Sequence, residues 1–248
     1  MKTNLYLIRH GEAVVNVKPI VGGMRGDTGL TEHGVQQAER LRDRLRDTQE
    51  IKADILIAST LPRARQTAEI IAPALGLSLT FDEEVQEMRV GEADGMSNKD
   101  AWEKYGTPRL DRDPFRVIAP GGESWSSFVL RVANALSRLT REHQGKTIVV
   151  VCHGGVIDSS FIYFFGMNSL MPPVAGFYTH NTSITQWQQY TDSYDGGTRW
   201  RLIKYNDIFH LHEVGVSESL DWRSIAPHTA RSGDRASVPL LTEERDEE

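Results

Sequence analysis

Two histidines in the sequence are each followed at once by glycine, and each follows an apolar run. Arg9-His10-Gly11-Glu12 comes after one such run, and His153-Gly154-Gly155 comes after the β-branched run Thr147–Cys152. Glycine lets a ligand approach the backbone closely. Open α/β sheets bind ligands at the carboxyl ends of their strands, so both histidines are candidates for one site.

Arginines supply positive charge to the same predicted edge. Arg9 lies beside the first histidine, and Arg63 falls in the first turn of a predicted helix. A guanidinium binds phosphate oxygens with a planar fork, and helix N-termini add backbone N–H donors. Two histidines and two arginines at one edge predict a site for a phosphate dianion.

These histidines could instead have a structural role or bind a metal ion. A histidine at a strand end is more often a hydrogen-bonded structural residue, and we assign that role to His33, His143, His180 and His228. His10 and His153 could also join a carboxylate in a zinc site. However, the sequence has no His-Glu-x-x-His helix, and two arginines would repel a dication. We therefore predict no metal and no other cofactor.

The elements that must position these residues alternate between strand-like and helix-like patterns, which is typical of an α/β fold. Short apolar runs predict strands at residues 3–9, 54–59 and 147–152. Apolar residues at three- and four-residue steps predict helices at residues 31–47, 62–75, 124–143 and 156–165. Polar–apolar alternation predicts an antiparallel edge hairpin of residues 183–189 and 199–205. Its exposed edge leaves a homodimer open.

Composition limits the class of protein and the kinds of partner. The 248 residues are 39% apolar and 25% charged, as in globular proteins, and Cys152 alone cannot form an internal disulfide. A net charge of −6 argues against a nucleic-acid binder. The longest apolar runs are far shorter than the ~20 residues of a membrane helix, and none resembles a signal peptide. We expect a cytoplasmic protein with no nucleic-acid and no membrane partner.

The C-terminal residues differ from the rest of the chain. Residues 213–248 are rich in serine, proline and charge without periodicity, and they hold nine acidic residues and four arginines. We predict one domain over residues 1–212, followed by an acidic, mobile tail over 213–248. The tail thus carries most of the net charge, and the domain is nearly neutral.

Five short motifs occur in order along residues 3–211. They are Leu7-Ile8-Arg9-His10-Gly11-Glu12, Ser59-Thr60-Leu61-Pro62-Arg63-Ala64-Arg65-Gln66-Thr67-Ala68, Pro120-Gly121-Gly122-Glu123-Ser124, His153-Gly154-Gly155 and Asn206-Asp207-Ile208-Phe209-His210-Leu211. Together they resemble the histidine phosphatase superfamily (branch 1). The resemblance implies a phosphoglycerate mutase-like fold: three α/β/α layers with a mostly parallel central sheet and an antiparallel edge strand.

The resemblance also implies roles for the matching residues. His10 would attack phosphorus and become a phosphohistidine, which a neutral imidazole can do without a metal. Arg9, Arg63 and His153 would hold the transferring phosphoryl group. The phosphate site would be completed by Asn16 and Gly154.

A proton donor is implied in residues 85–95, which are similar to the family's acidic segment. Glu87 lies four residues before the first glycine, as the family's glutamate does. It would protonate the leaving oxygen and later deprotonate water. Glu92 is the second choice. A protonated Glu87 at working pH requires burial, because an unperturbed glutamate has a pKa of ~4.3.

The chain departs from the phosphoglycerate mutases of this family. These enzymes carry tyrosine-glycine just after the catalytic glutamate, whereas this chain has Val90-Gly91. Their paired arginines are replaced by Arg109, Arg112 and Arg116, which are scattered. We therefore predict a metal-independent phosphatase acting on a small phosphomonoester. The alternatives are a cofactor-dependent mutase and a non-catalytic phospho-ligand binder.

Two segments are predicted to cover the site, residues 17–30 and 96–119. The first is rich in glycine, which permits close approach to a ligand. Candidate residues of this substrate cap are Gly22, Gly23, Arg25 and Arg89. The two arginines could meet a second anionic group on the substrate.

Overall fold

A six-stranded sheet organises the fold in the computed structural model, which describes residues 2–173 and 175–216. Its strands are β1 (Asn4–Arg9), β2 (Ile55–Ala58), β3 (Leu79–Phe81), β4 (Thr147–Cys152), β5 (Ile184–Thr191) and β6 (Thr198–Asp207). They lie in the order β3-β2-β4-β1-β5-β6. The first four strands of that order are parallel, and β5 and β6 form the antiparallel edge. The predicted sheet and hairpin are confirmed.

Helices connect the strands and cover the sheet. They are α1 (Val14–Val17), α2 (Glu32–Thr48), α3 (Pro62–Leu75), α4 (Asn98–Tyr105), α5 (Trp125–Glu142) and α6 (Gly154–Phe164). Short 3-10 turns occur at Glu83–Val85, Gly91–Ala93 and Phe209–Leu211. Among the residues that the structure describes, no helix is both long and apolar enough to cross a membrane.

The three layers follow from alternation along the buried strands. Successive side chains of a strand point to opposite faces, so Leu5 and Leu7 of β1 join one core while Tyr6 and Ile8 join the other. The first core includes residues of α5 and α6, and the second includes residues of α2 and α3. Because both faces are covered, the central strands are apolar throughout, as expected for a parallel sheet.

Local signals set the ends of the long helices. The Thr31 hydroxyl accepts the Gly34 N–H at 3.0 Å before α2, and the Ser124 hydroxyl accepts the Ser127 N–H at 3.2 Å before α5. Gly76 ends α3 with φ of 64°, a conformation that glycine adopts without strain. These ends agree with the sequence predictions.

Some elements differ from the predictions. Helix α6 begins at Gly154, two residues before the predicted start, because glycine is a weak helix former and the Gly154-Gly155 pair reads locally as a loop. The short elements β3, α1 and α4 were not predicted. The predicted mobile tail lies outside the described residues from 217 onward, so the tail and the boundary at 212 stay predictions.

The two segments predicted as a cap pack against each other. Val21 N–H donates to the Met96 carbonyl at 2.9 Å, and Gly95 N–H returns a bond to the Val21 carbonyl at 2.9 Å. The Asp94 carboxylate accepts the N–H groups of Gly23 and Arg25 at 2.9 and 2.8 Å. These bonds tie the first segment to residues 94–96.

Candidate active site

A cavity of about 600 Å³ opens where β1 and β4 end. Its walls combine charged, apolar and small residues from loops, α1, α3 and α6. The lining residues are Arg9, His10, Val15, Asn16, Val21, Gly22, Arg63, Glu87, Met88, Val90, Gly154, Gly155, Asp158, Phe177, Tyr178 and Thr179. The carboxyl ends of parallel strands thus gather residues from distant parts of the sequence, as the fold class requires.

His10 is held in one tautomer. Its Nδ1 lies 2.7 Å from the Gly11 carbonyl oxygen, which can only accept, so Nδ1 carries the proton. Arg63 Nε, which can only donate, lies 3.1 Å from Nε2. Nε2 therefore bears the lone pair. Burial, reinforced by Arg63 and Arg9, lowers the pKa of His10 well below its ordinary value. The result is a neutral imidazole with an unprotonated Nε2 at the cavity.

Arg63 is fixed by an aspartate. Asp27 Oδ2 accepts from Arg63 Nη1 at 2.8 Å and from the Arg63 backbone N–H at 3.1 Å. The two side chains are only 4% and 0% exposed. The other Asp27 oxygen accepts the Gly29 N–H at 2.9 Å, so the loop that precedes α2 holds the carboxylate in turn. The guanidinium is thereby oriented toward His10.

His153 lies behind His10 and does not line the cavity. The two ring centroids are 5.2 Å apart, and His153 Nε2 lies 2.7 Å from the Ser59 hydroxyl at the end of β2. Its Nδ1 is buried without a partner among the described residues. Burial and the nearby Arg63 lower the pKa of His153 well below its ordinary value, so this ring is also neutral.

Arg9 is the second cation of the cavity. Its Nη1 donates to the carbonyl oxygen of Thr179, a contact that ties β1 to the loop before β5. Its Nε is buried and has no hydrogen-bond partner within residues 2–173 and 175–216. A buried N–H without a partner is costly, and an oxyanion entering the cavity would satisfy it.

Glu87 lies against the start of α6. Its Oε2 accepts the Gly155 N–H at 3.1 Å, and its Oε1 accepts the Met88 N–H at 3.1 Å. The side chain is partly buried rather than fully enclosed. A Cβ added at Gly155 would lie 2.3 Å from Oε1, whereas a Cβ at Gly154 would lie 3.7 Å from Arg9 Nε, an ordinary contact. Close approach in this loop therefore requires the second glycine, a requirement that the sequence reasoning missed.

Several predicted cap residues do not line this cavity. Of the cap candidates, Gly22 does line it. Asn16, predicted for the phosphate site, also lines the cavity, and its Oδ1 accepts the Ala13 N–H at 2.9 Å. Arg25 is exposed and lies 3.8 Å from the Asp94 carboxylate, while Gly23 packs on the same carboxylate.

Arg89 is also turned away from the cavity, since its guanidinium pairs with Glu84 at 3.0 Å. In this structure neither Arg25 nor Arg89 lines the cavity, and each pairs with a carboxylate. Their role toward a substrate stays a prediction. Glu92, the second choice for the acid, accepts the Tyr105 hydroxyl at 3.0 Å and does not line the cavity either.

Asp158 is a cavity residue that the sequence reasoning missed. It lies on α6, one turn after Gly154, and its Oδ1 is buried without a partner in the described part of the chain. Burial, reinforced by the charge of Glu87 and opposed by Arg9, raises the pKa of Asp158 to about 7. The four-residue spacing from Gly154 is the signal that could have placed it on the cavity face of α6.

No group of three or more His, Cys, Asp or Glu side chains within the described ranges is arranged to hold a metal ion. The cavity is lined by imidazole, guanidinium and carboxylate groups. Together they offer a neutral nitrogen nucleophile, two cations for an oxyanion and a carboxyl group for proton transfer.

Comparisons with known proteins show the family to which the chain belongs. The family model of the histidine phosphatase superfamily (branch 1) matches residues 5–207. The chain is 30% identical to phosphoglycerate mutase-like protein 4 of Arabidopsis thaliana, over 87% of this chain and 90% of that protein. It is 32% identical to a 2,3-bisphosphoglycerate-dependent phosphoglycerate mutase of Methylobacterium, over 68% and 84%. A solved structure of a phosphoserine phosphatase of Entamoeba histolytica is 27% identical, with a TM-score of 0.65, and the match covers 84% of this chain and 99% of that one.

Proposed function

Because this chain belongs to the histidine phosphatase superfamily (branch 1), we propose that it hydrolyses a small phosphomonoester without a metal ion, through a phosphohistidine on His10. The observation that carries this proposal is the tautomer of His10. Its Nδ1 proton is committed to the Gly11 carbonyl, so the lone pair of Nε2 is available at the cavity. The catalytic domain in this proposal is residues 1–212.

In the first step, Nε2 of His10 attacks phosphorus and the bond from phosphorus to the ester oxygen breaks. Glu87 gives its proton to the leaving oxygen, so an alcohol departs. Arg9 and Arg63 balance the charge on the equatorial oxygens of the transferring group, while His153 packs behind the His10 ring. When the ester binds, the Nε–H of Arg63 leaves His10 Nε2 and donates its hydrogen bond to a phosphoryl oxygen instead.

In the second step, water attacks the phosphorus of the phosphohistidine. Glu87, now a carboxylate, accepts a proton from the water, and the nitrogen–phosphorus bond breaks. Inorganic phosphate leaves and neutral His10 is restored. The contacts of Glu87 with the Gly155 and Met88 N–H groups support this role, because they hold its carboxyl group at the cavity wall.

Phosphatase activity is favoured over mutase activity by the charges around the cavity. A phosphoglycerate mutase must hold a carboxylate or second phosphate besides the transferring group. Among the residues that the structure describes, the only lysine or arginine side chains on the cavity wall are Arg9 and Arg63. Arg109 is paired with Asp111 at 3.1 Å, and Arg116 donates to the Tyr105 carbonyl, both away from the cavity.

The place of action that we propose is the cytoplasm. Cys152 is a free thiol, fully buried at the end of β4, and burial raises its pKa above the ordinary value. An unpaired, unreactive thiol in the core fits a reducing compartment.

The experiment that tests the proposed function is hydrolysis of p-nitrophenyl phosphate with and without EDTA. We expect turnover that EDTA leaves unchanged, that His10→Ala abolishes, and that His143→Ala, a change at a half-buried histidine outside the cavity, preserves. Acid-labile label on His10 after quenching with a labelled ester identifies the intermediate, and Glu87→Gln should increase its lifetime. Binding of phosphate esters without turnover would favour the non-catalytic binder. Isomerisation of 3-phosphoglycerate far faster than hydrolysis would favour the mutase.

A further inference from the structure

One carboxylate of the cavity, Asp158, has no part in the proposed chemistry. It is carried by α6 and lines the same cavity as His10 and Glu87. Its Oδ1 is buried, and no hydrogen bond to it is formed by residues 2–173 or 175–216. Buried carboxylate oxygens without a donor are rare in folded proteins, and those that occur need an explanation. A ligand group with N–H donors would supply one.

The charges around Asp158 define what that ligand group can be. The charge of Glu87 raises the pKa of Asp158, and the charge of Arg9 lowers it. Arg9 donates to the Thr179 carbonyl, and Arg63 pairs with the buried Asp27. In the proposed chemistry both guanidinium groups are assigned to the phosphate. Beyond Arg9 and Arg63, no lysine or arginine among the described residues lines the cavity, so a second anion on the substrate would meet Asp158 and Glu87 without a cation of its own. A cation would meet two carboxyl groups.

The apolar part of the cavity wall favours a short carbon chain between the phosphate site and Asp158. Val15, Val21, Met88, Val90 and Phe177 face the cavity and offer apolar contact. Phe177 is fixed by stacking on Phe161, with ring centroids 4.0 Å apart. Methylene groups can pack on such a wall while a polar group at their end reaches α6.

We propose that Asp158 makes the cavity selective for phosphomonoesters whose alcohol carries a protonated amine, as in an amino-alcohol phosphate. The ammonium group donates to the free Oδ1 of Asp158, while the phosphate lies between His10, Arg9 and Arg63. Esters with a second anionic group are disfavoured by the same carboxylate. This inference rests on the proposed phosphatase function and names its substrate class.

The test compares three esters by kcat/KM. O-phosphoethanolamine and n-propyl phosphate have the same shape, but a methyl group replaces the ammonium in the second. We expect the amine to be preferred by about tenfold or more, because water screens an ion pair less in a partly buried site than at the surface. 3-Phosphoglycerate should be the poorest of the three. Equal values for the first two esters would overturn the proposal.

The variant Asp158→Asn keeps the shape and removes the charge. The ratio of kcat/KM for O-phosphoethanolamine to that for n-propyl phosphate should fall to near one. Asp47→Asn, the same change at an exposed position of α2, should leave the ratio as it is. An unchanged ratio in Asp158→Asn would contradict the assignment, whatever the absolute rates are.

A pH series gives a readout that a merely structural role of Asp158 would not change. The groups that act on Asp158 or feel its charge are Glu87, Arg9 and Tyr205. Because the pKa of Asp158 is raised to about 7, its charged form is lost below that pH. The preference for the amine should therefore rise as pH increases through about 7. The same pH series in Asp158→Asn serves as the control, because any pH dependence caused by ionisation of the substrates appears in both proteins.

Failure of this inference can be told apart from failure of the proposed function. If p-nitrophenyl phosphate is hydrolysed but the amine is not preferred, only the substrate class is wrong. If no ester is hydrolysed, the phosphatase proposal fails. In that case, calorimetry can still measure the affinity of the protein for O-phosphoethanolamine and for n-propyl phosphate. The parent should bind the amine more tightly, and Asp158→Asn should bind the two esters equally.

Discussion

Arg63 donates from Nε to Nε2 of His10 across 3.1 Å, so the lone pair that would attack phosphorus is already engaged by a phosphate-binding side chain. In the absence of ligand this bond orients the imidazole and keeps it neutral, because a protonated Nε2 would face a guanidinium. An entering phosphoryl group gives Arg63 a charged acceptor, which forms the stronger hydrogen bond. Binding of the phosphoryl group to Arg63 therefore also frees the lone pair of His10 Nε2.

The first prediction concerns Asp27, which holds Arg63 from the side opposite His10. Asp27→Asn removes the charge that pairs with a buried guanidinium, and loss of such a partner destabilises a protein by about 3 kcal/mol. Arg63 should also be less well positioned, so kcat/KM for p-nitrophenyl phosphate should fall by about tenfold or more. Thermal unfolding and steady-state kinetics measure the two effects.

The control for Asp27 is Asp43→Asn, which removes an ion pair at the surface of α2. Surface pairs contribute little, so this variant should stay close to the parent in both measurements. Wild-type kinetics in Asp27→Asn would show that Arg63 needs no support from this carboxylate.

The second prediction concerns the contact between Glu87 and Gly155. Gly155→Ala places a methyl group 2.3 Å from Oε1 and must displace the carboxyl group. An alkyl phosphate needs a proton donor for its leaving oxygen, while p-nitrophenolate leaves readily without one. kcat/KM should therefore fall by about a hundredfold or more for n-propyl phosphate and much less for p-nitrophenyl phosphate.

Gly154→Ala is the matched control for that pair, because its new methyl group makes only an ordinary contact at 3.7 Å. In Gly154→Ala, kcat/KM should fall by a similar factor for both esters, and by less than in Gly155→Ala. Equal losses for the two esters in Gly155→Ala would mean that Glu87 is not the proton donor.

The third prediction separates the cavity arginine from the cap arginine. Arg9→Ala removes a cation from the cavity wall and should lower kcat/KM by about a hundredfold or more, as loss of an oxyanion-binding donor does in other enzymes. Arg25, with its side chain 70% exposed, lies outside the cavity, so Arg25→Ala should change kcat/KM less than about twofold. A large loss in Arg25→Ala would show that the cap closes over the substrate.

The fourth prediction is a pH dependence of stability caused by a buried histidine. Burial and Arg44 lower the pKa of His210 to about 4, below the ~6.5 of an unfolded chain. The unfolded state therefore binds a proton more readily, and stability from this group is complete above pH ~6.5 and lost as pH falls toward about 4. His210 should lower the free energy of unfolding by about 2 kcal/mol between pH 7 and pH 5.

Denaturant unfolding of the parent and of His210→Gln at both pH values measures this contribution. His10 and His153 act in the same direction, whereas Asp158 acts in the opposite one because its pKa is raised. The difference between the two proteins isolates His210. An identical pH dependence in both would contradict the assignment.

Features that depend on neighbouring residues could be predicted from the sequence. The long helices repeat apolar residues at helical spacing, and Thr31, Ser124 and Gly76 cap them through contacts within a few residues. The apolar runs ending at Arg9 and Cys152 predict buried parallel strands, and that prediction is confirmed. His10 and Arg63 follow strand ends, so the fold class alone predicts that they meet.

Contacts between residues far apart in the chain could be decided only by the tertiary structure. Asp27 and Arg63 are 36 residues apart, and Glu87 and Gly155 are 68 apart, so no local period relates them. The same holds for Arg25 and Asp94, which are 69 residues apart and meet only in the folded chain. Local propensity and capping act over a few residues, whereas burial and pairing of charge depend on which distant segments the packed core brings together.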